Sequence, residues 1–309
     1  MDGMWIGGTG RVKEVGSDSL EIMTPLVGTK EGIFDLHDAR HYLGDRPINH
    51  LARSDEGWWA VDDHGGVWKE GDLVTEAEDA TFNCVLAAPH GIWLGADSAR
   101  LYRLGQGGLA EDTAFAEAPG RDTWHTPWGG PPDVRSLAYG PDGILYVNVH
   151  VGGILHYDDS GPSPTLDIDA DVHQVIAHPE RPSTVLAATA WGLGVSTNGH
   201  DFDFRTDGLN HSYCRAVAVS GDTILVSAAQ GPSGGDSALY LGDMSGGPLR
   251  RCEHGLPGSF EGNLDTHCLA STDDGFWAVN GSTAWRTDDK GITWQAVRSD
   301  LPPVTCVVA

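Results

Sequence analysis

A short apolar pattern recurs seven times along the chain, and this repeat constrains the fold more than any other feature. Each copy is a hydrophobic residue followed by alanine, and the alanines lie 35, 51, 39, 41, 52 and 39 residues apart. A period of this size indicates a protein built from repeated structural units. The seven pairs are Leu51-Ala52, Leu86-Ala87, Leu137-Ala138, Ile176-Ala177, Val217-Ala218, Leu269-Ala270 and Val308-Ala309.

The segments between these pairs read as strands and turns. Short apolar runs alternate with Gly, Asp, Asn and Pro, and long helical periodicity is absent, which favours an all-β fold. Alanine suits the innermost strand of a β-propeller, because the blades crowd together near its axis. The sequence therefore predicts an all-β, seven-bladed β-propeller that forms a single domain over residues 1–309. Six or eight blades would follow if the stretches 105–133 or 228–264 were assigned differently.

The last repeat predicts how the ring closes. The final pair stands at the C-terminus, so "PVTCVVA" supplies only an inner strand. We expect "MWIGG", "RVKEV" and "SLEIM" near the N-terminus to supply the outer strands, which would remove two exposed sheet edges. The predicted blades are approximately 304–309 with 1–24, then 48–79, 82–117, 134–168, 172–209, 213–256 and 265–301.

Composition narrows the choice of partners and compartment. No apolar run reaches 18 residues and no secretory signal is recognisable, so we expect a cytoplasmic protein with no membrane partner. The formal charge of −25 predicts no nucleic-acid partner. Its even spread favours adaptation to a salty cytoplasm or a GC-rich genome over a dedicated cationic partner. The five cysteines form no C-x-x-C motif, which predicts buried free thiols.

One stretch near the C-terminus carries a recognisable motif. "TDDKGITW", residues 287–294, fits the pattern S/T-x-D-x-G-x-T-W, and "STNGHDFDF", residues 196–204, is a degenerate copy. The motif resembles the Asp-box of the BNR-repeat propellers, in the WD40/YVTN/BNR superfamily, which includes sialidases and photosystem assembly factors. The resemblance implies a hairpin between third and fourth strands, opposite the usual ligand face. We expect Asp289 to accept hydrogen bonds from its own hairpin, a structural role.

A sialidase-like glycoside hydrolase is the least favoured function within this resemblance. Sialidases use three arginines, a Tyr/Glu pair, an acidic Asp and an F/Y-R-I-P stretch. No such stretch occurs in this sequence. The arginines at inner-strand positions are Arg135 and Arg215 alone.

Histidines are predicted to gather on one face of the ring. In a propeller, the loops that lead into each inner strand share a face with the loops between second and third strands. Six histidines map to that face: His50, His125, His150, His173, His211 and His267. We predict His125, His150 and His211 as acid–base groups, with Arg135 and Arg215 holding an anion. We predict His50, His173 and His267 as ligands of a divalent transition metal; the alternative for each is a hydrogen bond to a neighbouring loop.

Other side chains on the same face are candidates for ligand contacts. The insertion "GRDTWHTPWGGPPD" carries two tryptophans that would form either an aromatic wall for a ligand or a hydrophobic plug over the tunnel. The predicted ligand-binding residues are Trp124, Trp128, Trp191, Gln230, Asn280 and Asp265.

Two functions from different classes follow. The first is a small-ligand site rich in His and Trp on the axial face, with a metal-dependent enzyme as one form of it; hydrolase, lyase and oxidoreductase are not distinguished. The second is a non-catalytic, protein-binding scaffold or assembly factor. Fold alone does not choose between them. The number of polar side chains that converge on one pocket distinguishes the two functions, because a scaffold needs no such convergence.

Overall fold

The computed structural model describes residues 24–38, 40–127, 129–166 and 168–309. Within these residues the chain forms seven four-stranded antiparallel sheets. The innermost strand of each sheet contacts the innermost strands of its two neighbours, so the sheets form a closed ring. The chain is a seven-bladed β-propeller, as the alanine repeat predicts.

The blades are numbered along the chain from the one that joins the two ends of the described residues. Blade 1 comprises Val304–Val308, Leu26–Thr29, Gly32–Asp35 and His41–Tyr42, from the axis outwards. Blade 2 comprises Ile48–Ser54, Gly57–Asp62, Gly66–Lys69 and Asp72–Glu76. Blade 3 comprises Phe82–Ala88, Gly91–Ala96, Arg100–Gly105 and Gly108–Glu111. Blade 4 comprises Val134–Tyr139, Leu145–Val149, Gly153–Asp158 and Gly161–Leu166.

The remaining blades follow the same order. Blade 5 comprises Val172–Ala177, Val185–Thr189, Gly192–Ser196 and Asp203–Arg205. Blade 6 comprises Tyr213–Ser220, Thr223–Ala229, Ala238–Asp243 and Arg250–Arg251. Blade 7 comprises Leu269–Ser271, Phe276–Asn280, Thr283–Thr287 and Gln295–Arg298. Helical turns are confined to loops: one α-helical turn, Thr113–Ala116, and the 3₁₀ turns Asp97–Ala99, Arg121–Thr123 and Ile168–Ala170.

Blade 1 closes the ring with strands from both ends of the described chain. Leu26 pairs with Val308 and Gly28 with Cys306, so the C-terminal strand is the innermost one. The outer strands come from residues 26–42, whereas the sequence placed them within residues 1–24. The reason is local: "LVGTKEGIFD" forms a hairpin of two short strands, and Gly32, at φ +110°, begins the strand after its turn. The predicted strands "MWIGG", "RVKEV" and "SLEIM" lie outside the described residues.

The alanine repeat lines the axis. Ala52, Ala177, Ala218, Ala270 and Ala309 border an axial cavity of about 380 Å³ together with their hydrophobic neighbours. The rest of the apolar core lies between adjacent blades, in seven clusters of buried side chains among the described residues. No helix in the described ranges is long and apolar enough to span a bilayer.

The hairpin of the motif "TDDKGITW" joins the third and fourth strands of blade 7. Oδ1 of Asp289 accepts hydrogen bonds from the Thr293 N–H (2.8 Å) and the Thr287 hydroxyl (2.7 Å). Gly291 has φ +90°, and the buried Trp294 indole donates to its carbonyl at 3.0 Å. Because strands alternate in direction, this hairpin lies at the opposite end of the ring from the loops that lead into the inner strands. Its contacts give Asp289 the structural role predicted for it.

Candidate functional site

A β-bulge interrupts the beginning of the innermost strand in six of the seven blades. In five of these blades, one residue of the inner strand has no paired residue on the second strand. In blade 6, the two residues Arg215 and Ala216 lie opposite one residue of the second strand. Bulges bend a strand and redirect side chains, and they are frequent next to active sites. In blade 7 the loop before the inner strand supplies Asp265 instead. The polar side chains at these seven places are Thr305, Asn49, Asn83, Arg135, His173, Arg215 and Asp265.

Five of these seven side chains line one cavity of about 550 Å³ at the bulged end of the axis, which we call the upper cavity. Its wall also holds charged and imidazole groups from other loops. The residues lining the upper cavity are Lys30, Asn49, Asn83, Asp133, Arg135, His150, Asp265, Thr266, His267, Cys268, Val304 and Thr305. His267 also borders the apolar axial cavity. His267 therefore lies between the polar upper cavity and the apolar axial cavity.

Asp265 lies between two arginines from different blades. Its Oδ1 lies 3.1 Å from Nη2 of Arg135, and its Oδ2 lies 3.0 Å from Nη1 of Arg215. Burial would raise the pKa of the Asp265 carboxyl, but the two guanidinium groups outweigh it and hold that pKa below its ordinary value. Burial lowers the pKa of Arg135, and Asp265 opposes this. Both arginines predicted to hold an anion are thus beside the same carboxylate.

The loop that carries Asp265 is tied to blade 5. The Thr266 hydroxyl donates to the His173 carbonyl at 3.0 Å, and the His267 N–H donates to Oε1 of Gln174 at 3.3 Å. The Thr266 N–H also donates to Asp265 at 2.8 Å. His267 adopts φ +66°, a conformation that costs energy outside glycine and that these contacts maintain. The loop therefore fixes Asp265 in place.

A second charged group at the site consists of His150, Asp171 and His173. Nε2 of His150 lies 3.2 Å from Oδ1 of Asp171, and Nε2 of His173 lies 3.4 Å from its Oδ2. Burial would raise the pKa of Asp171, but the two imidazoles outweigh it and hold that pKa well below the ordinary value. Asp171 itself adopts φ +46°. We call these three residues the His–Asp cluster.

The surroundings of His173 fix its protonation pattern. Its Nδ1 lies 2.6 Å from the Cys214 carbonyl oxygen, which only accepts, so Nδ1 carries a proton. Its Nε2 is buried and has no hydrogen-bond partner among the described residues. The Tyr213 ring packs against the imidazole with a centroid separation of 4.6 Å. Burial lowers the pKa of His173.

His50 and His267 are engaged elsewhere. Their rings stack with centroids 3.7 Å apart. His50 Nδ1 accepts from the Val85 N–H at 3.1 Å, and His267 Nε2 donates to the Arg135 carbonyl at 3.1 Å. Burial lowers the pKa of both imidazoles, that of His267 to about 4. The sequence predicts His50, His173 and His267 as the metal ligands. In the structure, the potential ligand atoms that lie within 4.8 Å of one another belong instead to the three residues of the His–Asp cluster.

The remaining predicted acid–base residues lie outside the wall of the upper cavity. His211 pairs with Asp236, with Nε2 and Oδ2 3.3 Å apart, and Asp236 also contacts Arg251. His125 is exposed, with Nδ1 2.8 Å from the Thr123 carbonyl oxygen.

The predicted ligand-binding residues fall into different environments. Trp124 is buried against Phe115, with ring centroids 5.9 Å apart, inside a hydrophobic cluster of blades 3 and 4. Trp128 lies outside the described residues. Trp191 is 45 % exposed, and its ring meets the edge of Phe204. The Asn280 amide donates to the carbonyls of Glu261 and Asn263, and the Gln230 N–H donates to the Gly235 carbonyl.

Two important residues were missed by sequence reasoning. Asp171 stands immediately before the inner strand Val172–Ala177, and an acidic residue at that position is the signal that could have found it. Lys30 lies in the turn of blade 1, in a stretch of the chain that was not assigned to the site. Asp265 was predicted for ligand contact, and it lines the upper cavity as one of the central charges.

Comparisons with known proteins establish the fold and no more. No protein-family model matches the sequence, and a search of curated proteins finds no relative. Among solved structures, the chain is similar to a catalytically inactive virginiamycin B lyase from Staphylococcus aureus with quinupristin (TM-score 0.59, 13% identity, 81% of this chain and 83% of that chain). It is also similar to apo AztD from Citrobacter koseri (TM-score 0.61, 12% identity, 92% and 97%). A third is YCF48 bound to the D1 peptide (TM-score 0.55, 15% identity, 81% of each chain).

These similarities show a β-propeller fold. The similar proteins include an enzyme and a peptide-bound protein. Since one fold supports both roles, the function has to be argued from the site.

Proposed function

We propose that the chain binds a small molecule bearing an oxyanion in the upper cavity and carries out chemistry on it at the His–Asp cluster. The observation that supports this most strongly is the convergence of polar side chains from bulged strands on one pocket. Ligand sites are typically concave, with a few well-placed polar groups. A scaffold that binds proteins through its rim has no need of this arrangement.

Unpaired hydrogen-bond donors around the cavity, rather than its net charge, favour an anionic group on the ligand, because Asp133 and Asp265 on the wall balance Lys30 and Arg135. Asp265 takes one N–H from each of Arg135 and Arg215, and a guanidinium has five N–H donors. Nε of Arg215 and Nδ2 of Asn83 are buried without a hydrogen-bond partner among the described residues. Lys30 adds a further positive charge on the wall. Such donors suit a carboxylate or phosphate, in a chain whose net charge is −25.

The His–Asp cluster supplies the reactive groups. His150 lines the upper cavity, so one member of the cluster is accessible to a ligand held by the arginines. Imidazole and carboxylate groups in this arrangement serve proton transfer or metal binding. Anion binding and chemistry are therefore assigned to adjacent parts of one pocket.

The test is binding of simple oxyanions. Inorganic phosphate, pyrophosphate and citrate would be titrated into the protein by calorimetry, and the shift of Tm measured in parallel. We expect at least one probe to bind the wild type and to bind the Arg135→Gln/Arg215→Gln variant at least ten-fold more weakly. Arg181→Gln is the control, because Arg181 forms an exposed ion pair with Asp222. The proposal fails if no probe binds, or if the double variant binds as tightly as the wild type.

A protein-binding scaffold is the second candidate, and one observation favours it. Leu73 and Val74 are 48 % and 45 % exposed on the outermost strand of blade 2. Neighbouring apolar residues on an exposed edge strand favour contact with another chain. In that case Leu73→Ser/Val74→Ser would abolish co-purification of a partner and leave oxyanion binding unchanged.

A further inference from the structure

We propose that His150, Asp171 and His173 bind a divalent transition-metal ion at the wall of the upper cavity. This deepens the proposed function by assigning a cofactor class to its reactive centre. The role of the ion in the reaction rests on the proposed function, whereas the metal site itself rests on the geometry of the His–Asp cluster.

The spacing of the donor atoms fits one ion. The potential ligand atoms of the three residues all lie within 4.8 Å of one another. The imidazole Nε2 atoms are 3.2 and 3.4 Å from the carboxylate oxygens. Neighbouring ligands on an ion with bonds of about 2.1 Å are about 3.0 to 3.4 Å apart. Small side-chain movements would therefore bring all three groups into coordination.

The hydrogen bonding of His173 leaves a lone pair that needs a partner. Because Nδ1 donates to the Cys214 carbonyl at 2.6 Å, the neutral imidazole presents the lone pair of Nε2. That atom is fully buried, lacks a hydrogen-bond partner in the described chain and faces Oδ2 of Asp171. A buried ring nitrogen without a hydrogen-bond partner carries a desolvation cost, and a cation between Nε2 and the carboxylate oxygen 3.4 Å away would bond to both atoms.

The groups around the cluster resemble the outer shell of a metal site. Metal-binding histidines usually donate their second nitrogen to a carbonyl or carboxylate, which fixes the tautomer, and His173 does so. The bulge in blade 5 and the Thr266 bond to the His173 carbonyl fix the backbone of His173, and the Nδ1 bond to Cys214 orients its ring. Asp171 is held at φ +46°, a strained conformation of the kind found at functional sites.

The donor set indicates the class of ion. Two imidazoles and one carboxylate suit Zn²⁺, Fe²⁺, Co²⁺ or Mn²⁺, whereas Mg²⁺ and Ca²⁺ prefer oxygen ligands alone. Three protein ligands leave further positions for water or substrate, and His150 places the ion at the cavity wall. The charge of Arg135 does not exclude a cation, because Asp265 lies 3.1 Å from its guanidinium.

The test is metal binding by the full chain without any oxyanion ligand. Protein dialysed against EDTA would be titrated with Zn²⁺ by calorimetry, and with Co²⁺ while its visible spectrum is recorded. We expect one ion per chain, and at least ten-fold weaker binding in Asp171→Asn and in His150→Ala. Asp171→Asn keeps the shape of the side chain, so it separates loss of a ligand from loss of the fold. Both variants would be checked for a wild-type circular-dichroism spectrum.

A matched control comes from the same protein. His211 and Asp236 form a similar pair, 3.3 Å apart, and belong to no three-residue group of ligand atoms in the described residues. His211→Ala should bind Zn²⁺ as the wild type does. The inference is overturned if the wild type binds no ion, or if the Asp171 and His150 variants bind it with unchanged affinity. Metal binding without oxyanion binding would support the metal site and reject the anion site. Oxyanion binding without metal binding would support the anion site and reject the metal site.

Discussion

Asp265 is the residue on which the charge balance of the upper cavity depends. Two guanidinium groups from blades 4 and 6 contact its two oxygens at 3.1 and 3.0 Å. Without it, two like charges would face each other at the axis of the ring. The same residue therefore holds the two arginines together at one end of the ring and neutralises part of their charge.

Replacing Asp265 should cost stability. We expect Asp265→Ala to lower the free energy of unfolding by about 1 kcal/mol, a value reduced from that of a fully buried pair because the carboxylate is 46 % exposed. Urea denaturation at pH 7 measures it. Asp300→Ala, which removes the exposed partner of Arg298, should change the value by less than about 0.5 kcal/mol. Equal effects of the two substitutions would contradict this account of Asp265.

His267 should make stability depend on pH. Burial lowers its pKa to about 4 in the folded chain, against about 6.5 in an unfolded chain. The unfolded state therefore binds a proton more readily, and stability falls as the pH decreases from about 6.5 towards 4. Between pH 7 and pH 5 the loss due to His267 should be about 2 kcal/mol.

The comparison with His267→Gln isolates this contribution from those of other titrating groups, including the stacked His50. Glutamine can still donate a hydrogen bond to the Arg135 carbonyl, so the fold is retained. Unfolding in urea at both pH values should show a smaller decrease for the variant than for the wild type. An identical decrease in the two proteins would rule out His267 as the source.

Which side chains of the site contact one another is the feature least predictable from the sequence. The sequence predicts that His150, in a loop between second and third strands, and His173, at the start of an inner strand, share one face, and the structure joins them through Asp171. The sequence predicts the trio of His50, His173 and His267 instead, because strand alternation alone does not show the bulge at His173. A bulge inserts one residue with no clear sequence signal, so side-chain direction near the axis does not follow from alternation alone.

At the scale of elements, hydroxyl groups connect the bulged strands to their neighbours. Oγ of Ser136, next to the bulge at Arg135, accepts bonds from the Val175 N–H at 2.9 Å and from the Asn148 amide at 3.1 Å. Blade 4 is thereby tied to blade 5 beside the His–Asp cluster. The bond also satisfies a buried backbone donor, which would otherwise carry a desolvation cost.

Ser136→Ala should therefore destabilise the protein. The Val175 N–H and the Asn148 amide would be left buried without an acceptor, so we expect a loss of about 2 kcal/mol in the free energy of unfolding. Ser163→Ala is the matched control, since that exposed hydroxyl donates to the His156 carbonyl and should change stability by less than about 0.5 kcal/mol. If Ser136→Ala left the free energy of unfolding unchanged, the hydrogen bond between the blades would contribute no net stability.

Strand order was predictable because it depends on patterns that are local. The hydrophobic-alanine pairs mark the innermost strands, and the Asp289 hairpin marks a third-to-fourth turn. The closing blade was harder to assign. The segments 1–24 and 26–42 both contain short apolar runs, and the choice between them depends on pairing with a strand nearly 300 residues away.

At the scale of the whole molecule, the ring depends on close packing where its two ends meet. A Cβ atom added at Gly28 would lie 2.5 Å from Sγ of Cys306 and 3.0 Å from a methyl group of Ile48. Blade 1 would then have to separate from its own inner strand or from blade 2. The close approach at Gly28 is a requirement of closure, not of the local turn.

Gly28→Ala should lower Tm through overpacking, with a loss of about 2 kcal/mol in stability. Gly105→Ala is a suitable control, because no atom lies within 4 Å of the position that its Cβ would take. Thermal unfolding followed by circular dichroism compares the two. If Gly28→Ala were as stable as Gly105→Ala, the closing blade described here would be wrong.

Locating a bound oxyanion would show whether the upper cavity is the functional site of this ring, as we propose. Crystals soaked in selenate would be measured at the selenium absorption edge, for the wild type and for Arg135→Gln/Arg215→Gln. We expect an anomalous peak within the upper cavity, in contact with Arg135 or Arg215, that is absent from the variant. Selenate bound only at surface positions, or a cavity peak that survives in the variant, would contradict it.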